Sequence, residues 1–185
     1  MPERAPPPPE LAGLSLAEIA EAVAERRLPP VEQWNPPHCG DSRMRIARDG
    51  TWFHEGAPIR RPAMVRLFAG LLRREADGRH VLVTPVEKLG ITVEDAPFVA
   101  VEARSEGVGR ERRLAFRLNT DEAVVAGPEH KLYLIEGRPY LTVRAGLEAA
   151  IARPVYYELA ELALEEGANP PGLWSDGVFF SLESA

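Results

Sequence analysis

Cysteine is nearly missing from this chain: Cys39 stands alone among 185 residues. No internal disulfide can form, which excludes a small secreted scaffold held by cross-links. No apolar run approaches the roughly 18 residues that a membrane-spanning helix requires. Bases are in deficit, with 22 Lys and Arg against 28 Asp and Glu and a net charge of −6. A surface gripping nucleic acid throughout is thereby excluded, although a local basic patch is not. The common nucleotide and nucleophile motifs are also missing. There is no Gly-x-x-x-x-Gly-Lys-Ser/Thr loop, no Gly-x-Gly-x-x-Gly and no Gly-x-Ser-x-Gly. What is present, 45% hydrophobic and 27% charged residues, is the composition of a globular protein.

Half of the 18 prolines lie at or before Pro37, four of them consecutive from Pro6 to Pro9. Each fixes φ and removes a donor, so residues 1–10 are expected to form a disordered, Pro-rich tail of polyproline type. Residues 11–30 read as a helical arm. Ser15 is an N-cap with Glu18 three residues on, and Leu14 can staple onto Ile19. Leu16, Ile19, Ala20 and Val23 share a face, while Glu18, Glu21 and Glu25 meet water. Pro29 and Pro30 end it. These acids fit no signal or transit peptide, so a cytoplasmic location is expected.

Residues 31–95 read as a first α+β unit. Met44 to His54 forms a hairpin around Asp49-Gly50, and Pro62 opens a helix running from Ala63 to Glu75. A strand follows from His80 to Val86. Residues 96–185 read as a second unit, with strands at Phe98–Ala103, Glu111–Leu118, Glu122–Ala126, Lys131–Ile135 and Pro139–Val143. In the second of these Leu114, Phe116 and Leu118 point one way and Arg113 and Arg117 the other. A helix then runs from Pro154 to a Gly167 cap, and Val178–Phe180 is a last strand.

The halves resemble one another. Ile59-Arg60-Arg61-Pro62 precedes the first long helix and Ile151-Ala152-Arg153-Pro154 the second, 92 residues later. Asp49-Gly50 before Trp52-Phe53 parallels Glu136-Gly137 before Tyr140-Leu141. The fold expected is therefore α+β, with duplicated hairpin–helix–strand units and mainly antiparallel sheets. A groove between similar units is a usual place for a ligand.

Several blocks resemble the bacterial domain-of-unknown-function family 1285. They are Met44-Arg45-Ile46, Asp49 to Phe53, Arg61 to Phe68, Val81 to Lys88, Val93 to Phe98 and Trp174 to Phe180, within a match from about Trp34 to Phe180. The resemblance implies a duplicated α+β fold whose C-terminal half is superficially like a pleckstrin-homology domain. It also implies a role in signalling, with a nucleotide-like ligand between the halves. Two positions depart from the family pattern: Arg60 stands where glycine is frequent, and Ser42-Arg43 replaces an apolar–acidic pair.

Candidate binding residues follow from side-chain chemistry. Thr84-Pro85-Val86-Glu87-Lys88 closes an apolar strand, so Lys88 can meet a phosphate and Glu87 a ribose or base donor. The plainer alternative is a solvated turn with a weak ion pair. Arg43 and Arg45 alternate on a strand, Arg61 and Arg153 each precede a helix, and Trp52 can stack on a base or fill the core. His38-Cys39-Gly40-Asp41 lacks the second ligand pair of a metal site, and its simplest reading is a turn with a buried thiol. Arg110-Glu111-Arg112-Arg113 reads as an exposed hairpin edge rather than a nucleic-acid patch.

The expectation is a non-catalytic module binding an anionic, nucleotide-like molecule between its units through Arg43, Arg45, Trp52, Arg61, Thr84, Glu87 and Lys88. No cofactor, metal, nucleic acid or membrane is expected. Two alternatives stay open: a small hydrolase using Glu87 or Glu94 with a histidine and a metal, and a protein-interaction adaptor working through residues 15–27.

Overall fold

The structure, a computed structural model, describes residues 28–184. The Pro-rich tail expected over 1–10 and the helix expected over 15–27 lie outside the described residues. Residues Leu28 to Pro30 are irregular and lead into a single 3-10 turn at Val31–Gln33.

The first unit contains β1 (His38–Ile46), β2 (Trp52–His54), β3 (Ala57–Pro58), α1 (Pro62–Ala69), β4 (Leu72–Arg74), β5 (His80–Val83) and β6 (Glu87–Val93). The second contains β7 (Phe98–Glu106), β8 (Arg113–Leu118), β9 (Ala123–Val125), β10 (Leu132–Ile135), β11 (Arg138–Arg144) and β12 (Leu147–Ile151). Then come α2 (Arg153–Glu166) and a hairpin of β13 (Gly172–Ser175) and β14 (Val178–Ser181). The sheet orders are β3-β2-β1-β6-β5-β4 and β10-β11-β12-β7-β8-β9. Each sheet is thus two three-stranded meanders joined where its first and last strands pair in parallel, β1 with β6 and β7 with β12. All other pairings are antiparallel.

The fold is the duplicated α+β architecture, and strand order carries the duplication. The helices sit differently, α1 after the third strand of its sheet and α2 after the sixth. A curled six-stranded sheet followed by a helix makes the C-terminal half superficially pleckstrin-homology-like. The matching Ile-x-Arg-Pro marks a local likeness instead: each helix leaves a three-stranded meander and starts beside its hairpin.

Several elements differ from the sequence expectation, each for a physical reason. The helix expected to reach Glu75 ends at Ala69. Leu72, Arg73 and Arg74 pair with Leu82, Val81 and His80, which buries Leu72 in a sheet. Glu87 and Lys88 are not in a turn but begin β6, opposite His38 and Cys39. That pairing extends β1 back to His38, so Cys39 is an exposed strand residue rather than a buried thiol in a turn. Strand β12, Leu-Glu-Ala-Ala-Ile, is too alanine-rich to announce itself by propensity. Its place is set by the partners on either side, β11 and β7.

Side chains from both sheets form one core cluster, from Ile46 and Trp52 through Phe98, Phe116 and Leu141 to Leu159 and Phe180. Leu114, Phe116 and Leu118 are fully buried, as their alternation indicates. Burying a side chain of that size is worth about 1.5–3 kcal/mol. On the opposite face Arg117 pairs with Glu102 at 2.7 Å and Asp121 at 3.3 Å. The α2 C-terminus is closed by Gly167 at φ 66°, a left-handed conformation that glycine adopts without a Cβ penalty.

Candidate functional site

Arginines tie the two units together. Arg66 of α1 pairs with Asp121 in the β8–β9 turn at 3.2 Å. Arg74 of β4 donates to the Gly146 carbonyl at 3.1 Å and lies 3.6 Å from Glu148. Arg144 of β11 donates to the Ala69 carbonyl at 3.0 Å and also pairs with Glu122. In the connecting segment Asp95 accepts from Arg138 at 2.8 Å and from the Tyr140 hydroxyl at 2.7 Å. Burial, and then the bond to Asp95, push the Tyr140 phenol above its ordinary range. Half-burial and the neighbouring Glu148 carboxylate, which accepts its hydroxyl, do the same to Tyr133.

Beside Arg66 a cleft of about 300 Å³ opens between the units. Its walls are the β1–β2 turn from Asp49 to Trp52, then Ile59, Arg60 and the first turns of α1, with Asn119 of the second unit across from them. Gly50 brings the two sides together. Its carbonyl accepts from Asn119 Nδ2 at 3.2 Å, while Asn119 Oδ1 accepts the Val99 N–H at 2.9 Å. Gly50 has φ 89°, and a Cβ there would lie 2.7 Å from Asn119 Nδ2, so neither a side chain nor an ordinary φ fits.

The charges in this cleft are unevenly committed. Arg66 is held by Asp121. Asp49 accepts the Thr51 N–H at 2.9 Å, a bond that holds its carboxyl below the usual range. Arg60 is exposed and makes no ion pair among the described residues. Trp52 is buried, stacks on Phe68 with 6.4 Å between ring centres, and has no partner for its indole N–H among the described residues. The arrangement offers one uncommitted guanidinium at the rim of a small, partly apolar hollow.

Of the seven residues that sequence reasoning put at the site, Trp52 lines this cleft and Arg61 caps the helix beside it without contributing to the lining. The others lie elsewhere. Arg43 sits at a bulge in β1 with φ 57° and pairs with Glu55 at 3.1 Å. Arg45 pairs with Glu94 at 2.6 Å and covers the Phe53 ring at 4.3 Å. Lys88 pairs with Glu75 at 3.0 Å, which also holds Arg73 at 2.9 Å. Those two cations draw the Glu75 carboxyl below its usual range, Arg73 most of all. The Thr84 hydroxyl accepts the backbone N–H groups of Val86 and Glu87, so it shapes its own turn.

Lys88 and Arg45 are not neighbours. Lys88 is opposite Cys39 and Arg45 is opposite Thr92, four residues further along β6 and about 13 Å away at a strand rise of roughly 3.3 Å per residue. Glu87 and Glu94 are separated by the length of β6 and form no carboxylate pair. Glu94 instead accepts from Arg45 and from the Arg48 N–H. No group of three or more His, Cys, Asp or Glu side chains that could hold a metal occurs among the described residues. No helix among them is long and apolar enough to cross a membrane. Arg112, expected on an exposed edge, is buried and bonded to Ser105 and Glu166.

Sequence reasoning did not place Arg66 and Asn119 at the site. Nothing local marks either one, since a helix arginine and a turn asparagine acquire their meaning from the opposing unit. Arg60 did carry a signal as a departure from the family pattern.

Comparison with known proteins accounts for both halves. The N-terminal domain model of a family of unknown function, DUF1285, matches residues 29–96, and its C-terminal domain model matches residues 97–182. No curated protein matches the sequence. Among solved structures, a DUF1285 family protein from Silicibacter pomeroyi DSS-3 is similar at 46% identity and TM-score 0.78, over 88% of this chain and 93% of that one. A DUF1285 family protein from Shewanella baltica OS155 is similar at 25% identity and TM-score 0.53, over 64% of this chain and 90% of that one. With two family models covering its two sheets and a fold shared with both solved relatives, the chain belongs to the DUF1285 family.

Proposed function

We propose that this protein is a non-catalytic, cytoplasmic signalling module that binds a small anion of nucleotide type in the cleft between its two units. The observation that carries the reading is Arg60: a guanidinium without an ion pair among the described residues, on a hollow that both units line. Elsewhere in and around the junction, arginines are already held by Asp121, Glu148, Asp95 and Glu122. A planar guanidinium binds phosphate through paired N–H bonds, and the apolar wall from Trp52, Ile59 and Val65 suits the rest of such a ligand. At about 300 Å³ the cleft is at the small end of ligand sites, sized for a mononucleotide rather than a dinucleotide. A ligand here touches both units, so its binding energy acts on their junction.

Thermal unfolding against a panel of mononucleotides and sugar phosphates tests the reading. A ligand at 100 times its dissociation constant is expected to add about 2.7 kcal/mol of stability. Arg60→Gln is expected to reduce that gain while leaving the unliganded stability unchanged. Stabilisation by no member of the panel, or a gain that Arg60→Gln leaves undiminished, refutes it.

A further inference from the structure

A second cleft, of about 420 Å³, lies within the C-terminal unit, where the β10–β11 turn and β12 meet the first turn of α2. It shares no lining residue with the Arg60 cleft. Its lining holds two arginines and three tyrosines and no carboxylate. That is an unusual surface on a chain with 28 acids and 22 bases.

The commitments of these groups decide what remains for a ligand. Arg138 is bound to Asp95 and lies 5.9 Å from the centre of the Tyr140 ring, whose hydroxyl also goes to Asp95. The Tyr156 hydroxyl donates to the Leu182 carbonyl at 3.4 Å. Arg153 and Tyr157 are both exposed and have no hydrogen-bond or ion-pair partner among the described residues. They are four residues apart on α2, so their side chains rise from one face of the helix. Beside them the lining is apolar and aromatic: Pro139, Tyr140 and Ile151. A free guanidinium next to an exposed phenol ring and an apolar wall fits a dianion joined, directly or through a sugar, to a flat ring.

We propose that this cleft binds a phosphate monoester whose organic part includes a flat aromatic ring, with the phosphate on Arg153 and the ring against Tyr157 and the Pro139–Ile151 wall. Two sources share that chemistry, a nucleoside monophosphate and a phosphotyrosine side chain. The proposal does not depend on the Arg60 cleft.

The experiment titrates the full chain with phenyl phosphate and with inorganic phosphate, read by calorimetry. Phenyl phosphate is expected to bind about tenfold more tightly than inorganic phosphate. Arg153→Gln is expected to weaken it about tenfold or more, the loss of one charge-assisted contact. Tyr157→Ala brings phenyl phosphate down to the affinity of inorganic phosphate, and the loss caused by Arg153→Gln is the same in an Arg60→Gln background. Both α2 positions are exposed, and circular dichroism of the variants verifies the fold. Competition by AMP and by free phosphotyrosine then names the source as whichever displaces phenyl phosphate at lower concentration. The proposal is overturned by equal affinities for the two phosphates, by an affinity for phenyl phosphate that Arg153→Gln leaves unchanged, by a loss in Arg60→Gln instead of Arg153→Gln, or by failure of both competitors.

Discussion

Gly50 is one of the points at which the two units touch backbone to side chain, and Gly50→Ala measures that contact. Its φ of 89° and the Gly56 φ of 82° lie in the same left-handed region, in successive turns of one sheet. An added Cβ at Gly56 meets nothing within 4 Å, whereas at Gly50 it meets Asn119 Nδ2 at 2.7 Å and Val99 Cγ2 at 3.0 Å. Asn119 has little room to yield, because its side chain bridges the Val99 N–H and the Gly50 carbonyl and its own N–H donates to the Val99 carbonyl. Both substitutions carry backbone strain of about 1–3 kcal/mol. Each also tightens the unfolded chain by about 0.4–1 kcal/mol, and that term cancels between them.

Gly50→Ala alone adds crowding of about 1–3 kcal/mol and one strained hydrogen bond of about 1 kcal/mol. The expected outcome is that Gly50→Ala is less stable than Gly56→Ala by about 2–4 kcal/mol. Equilibrium urea unfolding of the two variants gives this difference directly. Equal unfolding free energies would refute the close inter-unit approach on which the cleft geometry rests.

Two further outcomes follow from buried polar groups. The Ser175 hydroxyl, fully buried, accepts the Leu114 N–H at 2.9 Å and donates to the Ala126 carbonyl at 2.7 Å. Ser175→Ala leaves both backbone groups unpaired, so urea unfolding should record a loss of about 2–4 kcal/mol, and a loss below about 0.5 kcal/mol contradicts this. His80, half-buried with no partner for Nε2 among the described residues, has its pKa lowered by desolvation and then by Arg74, with Glu148 opposing. Its neutral form is favoured in the folded state, so the unfolded chain takes up the proton first as pH falls below 6.5. Stability is therefore full above that value and declines below it. His80→Gln should flatten the decline between neutral pH and pH 5 in urea midpoints, and an unchanged slope assigns the dependence to other groups.

Much of the architecture was legible along the chain because its causes are local. Asp49-Gly50 makes its turn from the φ that glycine permits, and Gly167 ends α2 for the same reason. The alternation of Leu114, Phe116 and Leu118 with Arg113 and Arg117 reports one dry face and one wet one. The candidate site was legible only at Trp52 and, as an anomaly, at Arg60. Lys88 read as free because Glu75, thirteen positions away, looked like the end of a helix. Once Leu72 to Arg74 turns into a strand, that carboxylate comes to lie 3.0 Å from the ammonium.

Turns, caps and buried faces depend on dihedral preference and on the period of apolar side chains, both properties of a few adjacent residues. Composition and charge likewise set what kind of molecule this is before any folding is considered. Which arginine stays free is a different sort of fact. Arg43, Arg45, Arg66, Arg74, Arg138 and Arg144 are alike in sequence terms, and each has been matched with a carboxylate or carbonyl between 12 and 75 positions away. Those matches come from the stacking order of strands and the docking of two sheets on one core. A guanidinium's availability is settled by whichever acceptor the fold brings within 3 Å or so, and no stretch of neighbouring residues encodes that distance.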